Sequence, residues 1–342
     1  MKIFNSVNIG EDICIDPGTE YISVYIKGKG TVLREPSVVA YNSNTNEVIA
    51  VGEEAAQMEG RAPQCISTIR PIEYGVVVDF DFAAELFAGI LAKVKKNAMI
   101  KPKITLSVPC GITDVEEKAV INAIMKAGAR QVIVVESPVA AALGAGCDIT
   151  LARGLMVLDI GAGKCDMAAI SLCKTVISRT IKTGGRDFTY DIKEHIKNKY
   201  NLTISYEMAD KIKKEVVSAD GISGESIDVS GIDTNSSLPR RIRISSIDTQ
   251  SIFESRINAI ALLIKDTLDS VPPELLGDIM SDGILLVGGG AKLSGLADIL
   301  TRICGIKLFP ASDIDLCNIK GTGIAMENPD SLPDIAQSYH NL

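Results

Sequence analysis

A chain of 342 residues exceeds what one hydrophobic core usually supports, so two lobes are expected. A hydrophobic fraction of 46% with 23% charged residues marks a globular protein, and a net charge of −8 offers no basic footprint for nucleic acid. No run of roughly eighteen apolar residues is present, and MKIFNSVNIGEDICID lacks the apolar stretch and cleavage site of a signal peptide, which predicts a cytoplasmic protein.

The opening segment, DICIDPGTEYISVYIKGKGTVLREPSVVAYNSNTNEVIAVG, reads as a meander of strands broken by Gly-Lys-Gly and Asn-rich turns, hence antiparallel hairpins. DFAAELFAGILAKVKK follows with Phe82, Leu86, Ile90 and Val94 at the i, i+4 spacing of an amphipathic helix. KITLSVP is a short apolar strand. In TDVEEKAVINAIMKAGA, Thr113 stands three residues before Glu116, the capping-box spacing that starts a helix at Thr113. That helix leads through Gly128 into the strand QVIVVES, and the alternation implies a partly parallel sheet.

LMVLDIGAGKCDMAAISL restarts the pattern with strand, glycine turn and strand. DIGAG at Asp159 thus echoes DPGTE at Asp16, a weak internal repeat at about half the chain length. Further on, DFTYDIKEHIKNKY and EMADKIKKEVVSA read as helices, SIDVSGIDTNSSLPRRIRIS as a strand-rich insert and QSIFESRINAIALLIKDTLDSV as a long helix. GILLVGGGAKLSGLADILTRICG reads as strand, glycine turn and a helix from near Leu293 to a stop at Gly305.

Cys14, Cys65, Cys110, Cys147, Cys165, Cys173, Cys304 and Cys317 form no C-x-x-C pair, and His195 and His340 add no ligand cluster, so reduced and mostly buried thiols are expected. No histidine neighbours a Cys or Ser motif, which leaves nucleophilic hydrolysis unsupported. The three glycine turns carry the chemistry instead. Glycine removes the Cβ that blocks close backbone approach, and exposed N–H groups can cradle phosphate oxygens. Asp16 and Asp159, each just before such a turn, suit a hydrated Mg²⁺ bridging nucleotide phosphates. For one motif alone, an Asp bonded to its own turn is the simpler reading; with both motifs and VGGG in this order, nucleotide binding is preferred.

The order DxGT, Pro-Ala-Ala-Ala helix, DIGxG, then VGGGAxLxGL resembles the actin and heat-shock chaperone superfamily, and within it the MreB/Mbl bacterial actins. GKGTVLREPSVVA, RPIEYGVVVDFDF, VPCGITDVEEKAV, AGARQVIVVE, VSGIDTNSSLPRRIRI and PPELLGDIMSDGILLVGGGAKLSGL carry the narrower resemblance over nearly the whole chain. It implies an α/β actin-like ATPase fold: two similar lobes, each a mixed β-sheet flanked by helices, and four subdomains around a cleft for ATP or ADP with Mg²⁺. The first lobe would span 1–150, with an insertion at about 33–75 and a return at 320–342; the second would span 151–319, with an insertion at about 184–248.

By the same resemblance, Asp16, Gly18 and Thr19, with Glu20 and Tyr21 beside them, form the first phosphate turn. Asp159, Gly161, Ala162, Gly163 and Lys164 form the second. Gly184, Gly185, Asp210, Lys213, Gly288, Gly289, Gly290 and Ala291 line the adenosine side. On spacing alone, Asp210 and Lys213 read as an exposed helix face. The family pattern D-L-G-T-A-N-T is altered here by Pro17, Glu20, Tyr21 and Ile22, and Glu20 and Tyr21 are expected to repel or crowd a triphosphate. D-I-G-G-G-T-T-E becomes Asp159–Asp166 with Ala162, Lys164 and Cys165, where Lys164 is expected to compensate as a point charge.

In VVESPVAAALGAG the family's Glu-Glu-Pro has become Glu136-Ser137-Pro138, and Ser137 takes the place of the water-positioning acid. A hydroxyl is no ionised base at neutral pH, and losing a general base costs about 10² to 10⁴ in rate. Glu136, one residue earlier on a strand, should face the other way, unless a local bulge makes it the substitute. Weak or absent ATP hydrolysis follows.

The resemblance further implies self-assembly into filaments, single or paired, with other MreB paralogues, the inner face of the cell membrane and wall-synthesis membrane proteins as partners, in the service of cell shape. Membrane contact is expected from MKIFNS or from Met99 and Ile100 in NAMIKPK, multiplied along a filament. The competing expectation is an actin-fold regulator or scaffold that does not polymerise alone and co-assembles with a standard MreB. A chaperone-like or sugar-kinase-like ATPase is disfavoured by Ser137 and by the chain's length.

Overall fold

The computed structural model describes residues 11–95, 101–219, 225–246, 252–329, 332 and 335–340. The chain forms two units, Met1–Leu151 with Leu172–Lys174 and Leu316–Leu342, and Ala152–Ser171 with Thr175–Asp315.

The first unit opens with the expected meander, in which β1 (Asp12–Pro17), β2 (Tyr21–Ile26) and β3 (Gly30–Pro36) pair antiparallel. Next, β4 (Val39–Asn42), β5 (Val48–Val51), α1 (Glu53–Met58) and β6 (Ile66–Ile69) build a small sheet, order β5-β4-β6, over its own core of Val38, Ala40, Ala50 and Ala55. The short β7 (Ile72–Glu73) and β8 (Val76–Val77) lead into α2 (Phe80–Val94). An i, i+4 row drifts around a 3.6-residue helix. Burial therefore follows Ala83, Leu86, Phe87, Ile90 and Leu91, and Phe82 and Val94 are only half-buried.

β9 (Lys103–Val108) then lies parallel to β1, α3 (Asp114–Lys126) starts at the predicted Thr113–Glu116 capping box, and β10 (Gln131–Glu136) lies parallel to β9. Its last residue runs straight into α4 (Ser137–Gly144).

In the second unit, β11 (Leu155–Ile160) and β12 (Cys165–Ser171) form an antiparallel hairpin, followed by β13 (Lys174–Ile181) and α5 (Gly185–Tyr200). Leu172 and Cys173, the two residues joining β12 to β13, have φ of 50° and 63°. Left-handed backbone costs a residue with a Cβ roughly 1 kcal/mol, and two-residue hairpin turns of this kind favour Asn-Gly. The double variant Leu172→Asn/Cys173→Gly is expected to raise the unfolding free energy by about 1 kcal/mol in urea titrations.

β14 (Leu202–Thr203), α6 (Tyr206–Glu215), β15 (Ser226–Asp233) and β16 (Pro239–Ser245) follow, the three strands forming a sheet of order β14-β15-β16. The β15–β16 turn is fastened by Asp233. Its carboxylate accepts the Ser236 N–H (2.9 Å), the Arg240 guanidinium (2.7 Å) and the Asn235 N–H (3.0 Å), which hold its pKa at about 2. Because that value lies below the ordinary 3.8, the contribution is complete above about pH 4 and is lost as pH falls toward 2. An Asp233→Asn variant should melt below the wild type at pH 6, with the difference closing on acidification.

α7 (Glu254–Leu268) is the long helix expected from the sequence, and α8 (Pro273–Asp282) is a helix the reading had not separated. β17 (Ile284–Val287) ends at the glycine triplet, which enters a 3-10 turn, Gly289–Lys292. The α-helix expected near Leu293 begins instead at Leu296, as α9 (Leu296–Cys304), after Gly295. No α-helix N-terminus therefore follows the triplet directly: the 3-10 turn and Gly295, left-handed with φ 71°, come between. Gly305 stops α9 as expected, and β18 (Leu308–Pro310) closes the unit.

The chain then returns to the first unit with α10 (Cys317–Glu327) and β19 (Ala336–His340). The two main sheets run β19-β10-β9-β1-β2-β3 and β13-β12-β11-β17-β18. Reading β3-β2-β1-β9-β10 against β13-β12-β11-β17-β18, the weak repeat becomes one strand order used twice. Asp16 and Asp159 occupy the same place in it, next to last on the first strand of a hairpin whose other edge carries a parallel strand. These central strands are buried on both faces, which is why they read as unbroken apolar runs. Each unit has its own core, around Ile15, Phe87 and Leu106 in the first and around Leu158, Phe188 and Leu286 in the second. Of the eight cysteines only Cys65 is exposed, and none is in a disulfide.

Candidate functional site

In the first unit, Asp16 reaches the end of β1 and accepts the Ser107 hydroxyl of β9 at 2.7 Å. The turn behind it is held from two sides: the Gly18 carbonyl accepts the Ser37 hydroxyl at 2.7 Å, and the Thr19 hydroxyl accepts the Gly75 N–H at 3.2 Å. A Cβ on Gly18 would lie 2.6 Å from the Tyr21 carbonyl, so this hairpin requires glycine there. Glu20 pairs with Arg70 at 3.3 Å, and Arg70 also reaches Glu59. The repulsion expected from Glu20 is thus countered by a neighbouring cation. Tyr21 lies under the Arg34 guanidinium, 4.1 Å from its ring centre.

Ser137 is the first residue of α4 and is buried, whereas Glu136 ends β10 and is exposed. The pairing of β10 on β9 is unbroken through Glu136↔Val108, so no bulge turns Glu136 toward the place of Ser137.

In the second unit three glycine turns lock together. The Gly161 and Ala162 carbonyls accept the N–H groups of Gly185 and Arg186 at 2.9 and 2.8 Å, so the start of α5 is docked on the β11–β12 turn. A Cβ on Gly184 would stand 2.5 Å from the Ala162 carbonyl, and one on Gly290 would stand 2.7 Å from that of Gly161. Gly288, φ 88°, backs onto Asp159, whose Oδ1 lies 2.2 Å from where its Cβ would be. Gly184, Gly288 and Gly290 are therefore required by packing. Gly289 differs: a Cβ there meets nothing, and the residue is exposed. Gly163 and Ala291 are buried.

Asp210 and Lys213, read from spacing as an exposed helix face, are instead partly buried and tied to α5. Lys213 donates to the Gly185 carbonyl (2.9 Å) and to Thr189 (2.6 Å), and it pairs with Asp210 at 2.7 Å. Burial works against ionisation of Asp210, but the hydrogen bonds from Lys213 and Lys214 outweigh it and hold its pKa below the ordinary value. The helix periodicity was legible; the neighbouring helix that covers this face was not.

Lys164 is folded back on Asp166, which is 1% exposed and also accepts the Thr180 hydroxyl at 2.6 Å. Burial, then Asp159 and Asp166, push the Cys165 thiol well up, which marks this hairpin as locally acidic. Among the described residues no group of three or more His, Cys, Asp or Glu gathers as metal ligands. A cation at Asp16 or Asp159 would rest on few carboxylates and its own water, since Asp166, across the hairpin from Asp159, is already held by Lys164 and Thr180. Ser107, Asp166 and Thr180 were missed by the sequence reading, since cross-strand register brings them in; Asp166 alone carried a signal, standing where the family pattern D-I-G-G-G-T-T-E ends in Glu.

A family model described as MreB/Mbl protein matches residues 10–334. The chain is 39% identical to the cell shape-determining protein Mbl of Bacillus subtilis (strain 168) over 324 residues, 94% of this chain and 97% of that one. It is 36% identical to the cell shape-determining protein MreB of Escherichia coli (strain K12), covering 92% of this chain and 93% of that one. The crystal structure of MreB 5 of Spiroplasma citri bound to AMPPNP superposes with a TM-score of 0.89 at 35% identity, over 94% of this chain and 98% of that one. A chain of the MamK double helical filament, 18% identical, shares the fold with a TM-score of 0.77 over 94% and 99% of the two chains. The fold is thus actin-like, and the chain belongs to the MreB/Mbl family of cell shape-determining cytoskeletal proteins.

Proposed function

We propose that this chain binds ATP and ADP with Mg²⁺, assembles into filaments on the inner face of the cell membrane, and organises wall synthesis and cell shape with weak or no ATP hydrolysis. The observation that carries the nucleotide part is the set of interlocked glycine turns in the second unit. They hold the backbone of Gly161–Gly163 and Gly288–Gly290 in place through contacts a side chain would destroy, while Gly289 leaves one face open for a ligand. Support comes from MreB 5 of Spiroplasma citri, solved with AMPPNP and with ADP.

The residues fit Mg²⁺ held through water. Asp16 and Asp159 stand at matching hairpin ends, and neither gathers the full ligand shell that a directly bound ion would need. When bound, the ion would neutralise phosphate charge. This chain's own groups would do the rest, each within its own unit: in the second, the Gly161–Gly163 turn would offer backbone to phosphate and Gly289 with Gly184–Gly185 a surface to adenosine; in the first, the Gly18–Thr19 turn would offer backbone to phosphate.

Filament assembly follows the family. No helix among the described residues is long and apolar enough to cross a membrane, so the proposed membrane contact is peripheral. The segments expected to make it, MKIFNS and Met99–Ile100, lie outside the described residues.

Calorimetry with ATP and ADP in Mg²⁺, phosphate release in the same buffer and sedimentation of the polymer test the reading. Binding, little phosphate release and pelleting are expected. Failure to bind either nucleotide would overturn it, and a chain that pellets only when mixed with a standard MreB would be a co-assembling scaffold instead.

A further inference from the structure

Asp159 and Asp166 are register partners across the β11–β12 hairpin. Directly opposed residues of an antiparallel pair share a face, with Cβ atoms about 4.5–5.5 Å apart. Both are buried, at 7% and 1% exposure, so the second turn carries two carboxylates at close quarters. Like charges so placed destabilise each other unless a cation stands with them. Lys164 is that cation. It lies on the turn itself, whose Gly161 N–H donates to the Lys164 carbonyl at 2.9 Å, and its ammonium is held on Asp166. Thr180 takes the other Asp166 oxygen, so the carboxylate is fixed from both sides.

An ammonium has three N–H donors, and the bond to Asp166 uses one. The side chain is 14% exposed, so it is not fully buried. A phosphate cradled by the turn would meet a cation anchored beforehand on a buried carboxylate. A hydrated Mg²⁺ ordinarily fills that electrostatic role, bridging carboxylate and phosphate through its water. The family pattern D-I-G-G-G-T-T-E has Thr where this chain has Lys164, so the extra charge distinguishes this chain from that pattern.

We propose that Lys164 is a specificity-determining residue of the second turn: its ammonium, kept on Asp166, binds nucleotide phosphate and makes nucleotide binding in this chain largely independent of Mg²⁺. This rests on the nucleotide-binding reading and adds to it the element that sets its metal requirement.

The test is calorimetry of the full chain with ATP and with ADP, in Mg²⁺ and in EDTA. The variants are Lys164→Met and the double Lys164→Met/Asp166→Asn; the double removes both members of the ion pair and with them the like-charged neighbour of Asp159. Circular dichroism melts of the free proteins identify which variants are folded, and the double variant decides the matter if the single one is not. In EDTA the wild type should keep its affinity within about tenfold of the Mg²⁺ value, and the folded variant should fall at least a further tenfold, the span of one charge-assisted hydrogen bond. In Mg²⁺, where the ion also meets the phosphates, the variant's loss should be smaller than its loss in EDTA. A variant that matches the wild type in EDTA, or a wild type that loses more than tenfold on chelation, would overturn the role of Lys164 while leaving nucleotide binding in Mg²⁺ intact. Absence of binding in both buffers would overturn both readings.

Discussion

Gly321→Ala is expected to destabilise the first unit by about 3 kcal/mol or more, because the new methyl group has nowhere to go. The Cβ would lie 1.6 Å from the Ala140 carbonyl oxygen and 2.8 Å from the Gly144 nitrogen, both backbone atoms of α4. Reciprocally, a Cβ on Gly144 would lie 1.9 Å from the Cys317 carbonyl, so the two helices cross backbone to backbone. Neither can retreat freely. α4 is buried from Ser137 to Leu143, and on α10 a Cβ at Gly323 would already press on the Tyr25 ring at 2.8 Å. Relief therefore means separating α4 from α10 and opening the core beneath them. The melting temperature should fall by roughly 5–10 °C, or the variant should fail to accumulate in soluble form. Gly277→Ala is the control. Gly277 sits exposed in α8 with nothing within 4 Å of its would-be Cβ, so alanine there should add about 0.5–1 kcal/mol. A Gly321→Ala protein melting within about 2 °C of the wild type would show that the crossing yields without cost.

That crossing also shows what pattern alone conceals. α10, Cys-Asn-Ile-Lys-Gly-Thr-Gly-Ile-Ala-Met-Glu, has small residues on its buried face, so no stripe of large apolar side chains announces a helix. The capping box at Thr113, the meander and the doubled strand–glycine–strand pattern were legible because each is written in neighbouring residues or in a period. The candidate site was legible as glycine turns preceded by Asp. Its internal wiring was not. Glu20 on Arg70, Lys213 on Gly185 and Asp166 opposite Asp159 depend on which strands and helices lie side by side, not on neighbouring residues. The same holds for Gly184, Gly288 and Gly290, which the resemblance assigns to the adenosine side and which prove to be places where backbones meet.

Ser137→Glu is expected to raise ATP-dependent phosphate release at least tenfold over the wild type. The position is the first of α4, directly after the extended Glu136 and before Pro138, where the resemblance places a water-positioning acid. A helix N-terminus favours a carboxylate, and Pro138 at the second position costs no intrahelical hydrogen bond, so the backbone already suits the substitution. Ser137 supplies a hydroxyl that holds water but takes no proton at neutral pH; a positioned general base contributes about 10² to 10⁴. The full factor is not expected, since Lys164 and Cys165 still replace the Thr-Thr of the family pattern. Burial at this position, 6% exposure for Ser137, would raise the pKa of the introduced carboxyl. Only the ionised form acts as a base, so the gain should grow with pH through the range in which that carboxyl titrates and then level off. Ser137→Ala should leave the basal rate within about twofold, which separates a missing base from a lost hydroxyl contact. If Ser137→Glu binds ATP as the wild type does and still releases no more phosphate, the block lies elsewhere, and the Lys164–Asp166 pair becomes the element to change next.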